Sequence, residues 1–209
     1  MEITINTHSS IKIKTDKIIY IDPFKIEGNI NDADYILITH SHYDHYDIDS
    51  INKIKKDNTK LIVPNSMIQK VFGKYDMNNV IGVDPSETYQ IDDLSFDTIR
   101  AYNVDKQFHP KSNNWVGYLL NIEDKKIYIA GDTEINEDNK NIECDIALLP
   151  IGGTYTMNNI EASEFANKLK PTTVIPIHYG SIAGSYEDDI LFKEKIDDDI
   201  EVKLLMEKE

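Results

Sequence analysis

Three of the six histidines in this sequence fall within six consecutive residues. This segment contains four side chains that commonly bind metals: His40, His42, Asp44 and His45. Imidazole nitrogen combined with carboxylate oxygen suits zinc, manganese or iron better than calcium or magnesium. Packing does not explain such a dense cluster, so the segment predicts a metal site.

The apolar run before this cluster predicts a buried strand over residues 35–39, so the cluster begins where the strand ends. Side chains two residues apart in extended chain point to the same side, which lets His40 and His42 bind one metal. The turn that follows directs Asp44 and His45 elsewhere. That arrangement suits a second metal, and paired metals in hydrolytic sites are about 3.5–4 Å apart.

The pattern His-x-His-x-Asp-His after a strand resembles the defining motif of the metallo-β-lactamase superfamily. The resemblance extends along nearly the whole chain. Gly131-Asp132-Thr133, after an apolar run, is similar to the later aspartate motif of the superfamily, and Pro176-Ile177-His178-Tyr179-Gly180 is similar to its final histidine motif. Between these motifs, His109 in Phe108-His109-Pro110 is the available histidine.

The resemblance implies two sets of ligands: His40, His42 and His109 for a first metal, and Asp44, His45 and His178 for a second. Asp132 would bridge the two ions, because two dications this close repel and need shared negative charge. Two divalent ions are therefore expected, with zinc first and manganese or iron as alternatives. Structural explanations stay open for Asp132 as a turn residue, His178 as a core histidine and His109 as an exposed loop residue.

Other segments are similar to a subgroup of metal-dependent hydrolases related to L-ascorbate-6-phosphate lactonase and N-acyl-phosphatidylethanolamine phospholipase D. These segments are residues 8–10, 21–24, 101–103, 131–134, 150–157 and 178–180. We expect His8 to support a metal ligand or to be structural. Asp22 either orients a ligand near the first metal or forms a turn with Pro23. The loop of residues 152–155 either lines the substrate mouth or connects a strand to a helix.

Such a site implies hydrolysis by a hydroxide that bridges the metals, because coordination lowers the pKa of water from about 15.7 to about 7. The expected substrate bond is a small lactone, ester, thioester or phosphodiester, and Asp44 or Asp132 would pass a proton onward. The sequence has no Gly-x-Ser-x-Gly segment, so water is the expected nucleophile. Two alternatives stay open: a di-iron redox protein of the same fold, and a non-catalytic metal-binding module.

Composition limits the possible partners and location. The formal net charge is −15, and the lysines are interleaved with acidic residues, so no basic stripe could bind a long nucleic acid. A small-molecule substrate is expected, and an anionic one is allowed because two dications dominate the local field. No apolar run approaches the roughly 20 residues of a membrane span, and the N-terminus lacks a basic region. We expect a cytoplasmic protein.

The elements that must position these residues follow an α/β pattern. Strands are predicted at residues 11–14, 18–21, 35–39, 61–63, 80–83, 94–101, 116–122, 127–130, 146–149, 173–177 and 202–205. Helices are predicted at residues 48–56, 65–73, 186–195, and from a cap at Asn158 to Pro171. Two halves that each hold strands and helices predict two mixed sheets packed face to face with helices outside, the four-layer αββα sandwich of the superfamily. One domain is expected over residues 1–209.

Overall fold

Two β-sheets packed face to face form the centre of the computed structural model, which describes residues 1–206. The first sheet contains, in spatial order, β1 (Glu2–Ile5), β2 (Ile11–Lys14), β3 (Ile18–Ile21), β4 (Ala33–Leu37), β5 (Lys55–Pro64) and β6 (Val80–Val83). The second contains β13 (Glu201–Val202), β12 (Thr173–Ile177), β11 (Ile146–Pro150), β10 (Lys125–Ile129), β9 (Val116–Ile122), β8 (Leu94–Arg100) and β7 (Thr88–Ile91). The α-helices are α1 (Ile48–Ile54), α2 (Ile68–Val71), α3 (Asn159–Leu169) and α4 (Asp188–Lys193).

Both sheets are mixed. Strands β3 to β6 run parallel to their neighbours, whereas β1, β2 and β3 pair antiparallel. In the second sheet, β10 to β13 are parallel and β7 to β10 are antiparallel. This architecture confirms the predicted αββα sandwich. It also brings the carboxyl ends of several parallel strands to one edge of each sheet.

Alternation along β4 shows how the layers form. Tyr35 and Leu37 point into the core between the two sheets, where they pack with residues of both. Ile36 and Ile38 point outward into a second buried cluster that also contains Ile51 of α1. Because successive side chains of a strand face opposite sides, this wholly apolar run can serve two cores at once.

Helix α3 begins at the predicted cap. Asn158 accepts hydrogen bonds from the backbone N–H groups of Ile160 and Glu161, and the Glu161 side chain accepts one from the Asn158 N–H in return. The helix ends at Leu169, and Lys170 adopts a φ of 53° before Pro171. Across residues 1–206, no helix has the length and apolar character needed to cross a bilayer.

The structure corrects several predicted boundaries. The helix expected over 65–73 is a 3-10 turn (Asn65–Met67) followed by the single turn of α2, because the chain leaves helical geometry at Phe72, whose ψ is 131°, and turns further at Gly73, whose φ is 74°. The last strand is Glu201–Val202 instead of 202–205, and it pairs with β12 alone. Strands β1 and β7 were not predicted, since each has only four residues and half of its side chains face water.

Candidate metal centre

The predicted ligands follow the carboxyl ends of strands in both sheets. His40 comes three residues after β4, Asp132 three residues after β10, and His178 directly after β12. Parallel strands place their carboxyl ends at one edge of a sheet. The two sheets are stacked, so these ends meet and form a site between the sheets.

The first set of side chains is His40, His42, His109 and Asp132, whose potential ligand atoms all lie within 4.8 Å of one another. His42 Nδ1 is 3.1 Å from His40 Nε2 and 3.2 Å from His109 Nε2. Asp132 Oδ2 is 3.1 Å from His109 Nε2. All four residues except the half-buried His42 are buried, including His109, for which an exposed loop position had stayed open.

The second set is His8, Asp44, His45 and His178, again with ligand atoms within 4.8 Å of one another. Asp44 Oδ2 lies 3.1 Å from His8 Nε2, 3.6 Å from His45 Nε2 and 4.0 Å from His178 Nε2. All four residues are buried. Three of them were predicted for the second metal, and the structure adds His8.

Asp132 contacts both sets. Its Oδ1 lies 3.3 Å from His45 Nε2, and its Oδ2 lies 3.1 Å from His178 Nε2 in addition to the contact with His109. The structure thus brings all seven predicted residues together, with Asp132 in the position between the two groups of histidines.

The residues present fit a pair of divalent metals. His45 Nε2 and Asp132 Oδ1 are buried, 3.3 Å apart and without a hydrogen-bond partner in the described structure. Buried polar atoms are rarely left unpaired, because desolvation without a partner costs free energy. Imidazole nitrogens that converge with carboxylate oxygens form the donor set that zinc, manganese or iron prefers.

The electrostatics of Asp132, Asp44 and His40 favour their metal-binding forms. Burial raises the pKa of Asp132, but nearby His178, His45 and His40 hold it well below its ordinary value. Burial likewise opposes ionisation of Asp44, yet the His8 hydrogen bond and the His45 charge lower its pKa to about 2. Burial and the neighbouring His45 lower the pKa of His40 well below its ordinary value, so this imidazole is neutral, as a ligand must be.

Asp22 orients His45. Its Oδ2 is 2.7 Å from His45 Nδ1, and the carboxylate also accepts hydrogen bonds from the Thr39 N–H at 2.8 Å and hydroxyl at 2.6 Å. The predicted orienting role of Asp22 therefore falls directly on His45 of the second set, and Asp22 reaches His40 of the first set through the Thr39 hydroxyl, 3.0 Å from His40 Nδ1. A carboxylate on the far nitrogen of an imidazole fixes the tautomer and ring orientation of the ligand.

Glu134 holds the loop that carries His109. Its Oε2 accepts hydrogen bonds from three consecutive backbone N–H groups, those of Val104 at 2.7 Å, Asp105 at 2.8 Å and Lys106 at 3.3 Å. Its Oε1 pairs with the Lys106 ammonium at 2.8 Å. Sequence reasoning gave Glu134 no role, although its place two residues after Asp132 was a usable signal.

The backbone at this edge is strained in several places. His8, Asp22, His109 and His178 have φ values of 54°, 47°, 61° and 57°. Non-glycine residues seldom adopt the left-handed region, and such residues cluster at functional sites. Gly131, with a φ of 65°, allows the approach that places Asp132, because a Cβ there would lie 3.2 Å from the Thr39 side chain.

A cleft of about 230 Å³ opens over the two sets of side chains. Five of the candidate ligands line it, together with Tyr43, Phe108, Tyr155 and Ile182. Tyr155 belongs to the 152–155 loop, which therefore lines the mouth of the site as well as leading toward α3. The Tyr155 carbonyl accepts a hydrogen bond from the Asn103 side chain at 2.6 Å, which ties this loop to the His109 loop.

Comparisons with known proteins identify the family of this chain. Residues 2–178 match the family described as beta-lactamase superfamily domain. The UPF0173 metal-dependent hydrolase of Pyrococcus horikoshii is 32% identical, with 95% of this chain and 93% of the relative covered. The UPF0173 metal-dependent hydrolase of Lysinibacillus sphaericus is also 32% identical, with 98% and 96% covered.

A solved structure shares the fold. The metallo hydrolase Igni18 of the archaeon Ignicoccus hospitalis is 24% identical and superposes with a TM-score of 0.78 over 97% of this chain and 93% of that one. The chain therefore belongs to the beta-lactamase superfamily, among the UPF0173 metal-dependent hydrolases.

Proposed function

We propose that this protein hydrolyses a small lactone, ester or phosphodiester at a site that binds two divalent metal ions. The observation that carries the proposal is the position of Asp132, whose carboxylate lies 3.1 Å from His109 in the first set and 3.1 Å from His178 in the second. A shared carboxylate between two groups of imidazole nitrogens is what a pair of nearby dications requires.

The proposed ligands are His40, His42 and His109 for the first metal, Asp44, His45 and His178 for the second, and Asp132 for both. When bound, the two metals, with zinc expected and manganese or iron as alternatives, would supply a coordinated water that ionises near neutral pH and an electrophile for a carbonyl or phosphoryl oxygen. The chain orients these ligands through Asp22 and Glu134. Asp44 lines the cleft and is hydrogen-bonded to His8, so its carboxylate can accept a hydrogen bond from the attacking water and pass the proton on at once, because its low pKa disfavours keeping it.

A small-molecule substrate in the cytoplasm fits this proposal. The cleft of about 230 Å³ has room for a small organic group. The net charge of −15 argues against long nucleic acids. The single cysteine provides no internal disulfide of the kind that is frequent in exported proteins.

Metal content and turnover in matched variants test the proposal. Protein purified without chelators should contain two metals per chain and hydrolyse members of a lactone, ester and phosphodiester panel. Asp132→Ala should abolish turnover while the variant stays folded. Asp57→Ala, at an exposed position outside the site, should behave like the parent protein.

Trp115 offers an internal reporter of metal binding. It is the only tryptophan, and its ring centroid lies 4.8 Å from that of His40, 4.9 Å from that of His42 and 5.5 Å from that of His109. Added zinc should therefore change its emission. Metal content well below one per chain, with no fluorescence response, would contradict the metal site. An iron chromophore with redox activity and no hydrolysis would favour the di-iron alternative, and bound metal without any turnover would favour the non-catalytic module.

A further inference from the structure

The wall of the cleft that does not bind metal consists of side chains without formal charge: Tyr43, Phe108, Tyr155 and Ile182. Phe108 and Tyr155 make an edge-to-face contact, with ring centroids 5.1 Å apart. Tyr43 is 68% exposed and Phe108 is 46% exposed, although large aromatic side chains gain from burial. Exposed aromatic side chains grouped around a concave site are typical of a surface that binds an apolar group.

Cations are missing from this wall. In the described part of the chain, neither Lys nor Arg lines the cleft. The lysines of the nearby loops are engaged elsewhere. Lys106 pairs with Glu134 at 2.8 Å and with Glu161 at 2.9 Å, and Lys111 pairs with Asp138 at 3.1 Å.

The Lys70 ammonium also has partners of its own. Its ammonium donates a hydrogen bond to the Ser41 carbonyl at 2.5 Å and lies over the Tyr46 ring. Lys25, whose ammonium lies over the Phe24 ring beside Tyr43, is not among the residues that line the cleft. Negative charge on a substrate inside the cleft therefore meets no Lys or Arg side chain there and is neutralised where the substrate contacts the metals. A phosphate or carboxylate placed against the aromatic wall would lose its hydration and gain no cation in return, which is costly.

We propose that the part of the substrate held against this wall is uncharged and apolar, with no phosphate or carboxylate on it, and a carboxylic ester serves as the probe. The inference rests on the proposed hydrolytic function and narrows its substrate class. Hydrolysis adds one water across the acyl C–O bond: the hydroxyl oxygen bonds to the carbonyl carbon, the acyl–oxygen bond breaks, and the leaving oxygen takes the proton.

A matched pair of substrates isolates the charge of that group. p-Nitrophenyl hexanoate and the p-nitrophenyl monoester of adipic acid have the same scissile bond, leaving group and chain length, but only the adipate ends in a carboxylate. With metal-loaded protein, and after subtraction of the uncatalysed rate, kcat/KM should be at least about tenfold higher for the hexanoate, in the range that pocket contacts provide.

Variants of the wall connect this preference to the cleft. Ile182→Lys provides a cation in the cleft and should reduce or reverse the ratio of kcat/KM for the hexanoate to that for the adipate. Ile160→Lys adds the same charge at an exposed position of α3 outside the cleft and should leave this ratio unchanged. Phe108→Ala should lower kcat/KM for the hexanoate about fivefold or more, mainly through KM. Phe72→Ala, an exposed phenylalanine away from the cleft, should not.

The outcomes separate the two proposals. Equal rates for both esters, or faster cleavage of the adipate, would overturn the uncharged-substrate inference and leave hydrolysis intact. No cleavage of either ester or of the wider panel by protein with two metals would overturn hydrolysis itself. Binding of hydroxamates, measured by Trp115 emission, gives a readout that does not need turnover. Hexanohydroxamate should bind at least about tenfold more tightly than adipic monohydroxamate. Equal affinities would overturn the inference.

Discussion

His8 Nε2 and Asp44 Oδ2 lie 3.1 Å apart, although 36 positions separate the two residues in the sequence. The His8 side chain is fully buried, and its ring centroid lies 3.8 Å from that of His178. The two histidines are also linked through the backbone, since the His178 N–H donates to the His8 carbonyl at 2.9 Å. His8 is therefore part of the second set of side chains and not a separate structural feature.

Replacing His8 should weaken one of the two metals selectively. His8→Ala removes the partner of Asp44, and loss of a residue that orients a metal ligand typically costs 10- to 100-fold in affinity. We expect a loss of about this size for one metal, measured by competition with a chelator, and an unchanged affinity for the other.

His109→Ala is the matched variant for the first set. It should abolish the response of Trp115 emission to zinc, because the Trp115 ring contacts only first-set histidines, whereas His8→Ala should retain this response. Unchanged affinities for both metals in His8→Ala would contradict a role for His8 at the centre.

The parts of the site that could be predicted are those that a local sequence pattern indicates. The cluster from His40 to His45 follows an apolar strand, and Asp132 and His178 follow two others. Their positions after predicted strands therefore indicate that these residues lie together at the strand ends. His8 and Asp22 also follow strands, but their partners come from distant positions. Asp22 meets Thr39 and His45 because β3 and β4 are neighbours in one sheet, whereas His8 meets His178 because the two sheets stack, and no local sequence pattern predicts either contact.

Asp22→Asn should test the orientation of His45. The asparagine keeps the shape but removes the negative charge beside His45, and its amide group cannot accept all three hydrogen bonds that the carboxylate now accepts. We expect the free energy of unfolding of the metal-free protein to fall by about 1–3 kcal/mol, and the second metal to bind about 10- to 100-fold more weakly.

Asp34→Asn serves as its control. Asp34 also accepts a backbone N–H, that of Ile18, and pairs with Lys56 at 2.7 Å, but it lies away from the site and is partly exposed. Its substitution should leave both metal affinities unchanged. Equal effects of the two substitutions on metal binding would argue against a specific role for Asp22.

Glu134→Ala should loosen the loop that carries His109. Three backbone N–H groups would lose their acceptor and the Lys106 ammonium would lose one of its two, so we expect a loss of about 1–3 kcal/mol in the free energy of unfolding. Affinity for the first metal should fall while that for the second is kept. Limited proteolysis should then cleave within residues 103–109. Glu137→Ala, which removes an exposed pair with Lys140, should show none of these changes.

The metal-free protein should be most stable near pH 6.5. Burial and the neighbouring His178 lower the pKa of His8 to about 4, so between pH 6.5 and 4 the unfolded chain binds a proton there that the folded chain does not. Burial opposes protonation of His45 too, but Asp132 and Asp22 raise its pKa to about 9. The stabilisation that these carboxylates give to protonated His45 is fully present below pH 6.5 and is lost as the pH rises through 9.

Urea unfolding in the presence of chelator at pH 5, 6.5 and 9 measures both sides of this profile. Each pKa unit corresponds to about 1.4 kcal/mol, so losses on the order of 1–3 kcal/mol are expected in each direction. The lowered pKa values of His40 and His42 act in the same direction as that of His8 on the acid side. His8→Gln should therefore reduce, but not remove, the loss of unfolding free energy at pH 5. It should leave the loss of unfolding free energy at pH 9 unchanged. A stability that rises steadily from pH 5 to 9 would show that His45 is not held as a cation in the metal-free site.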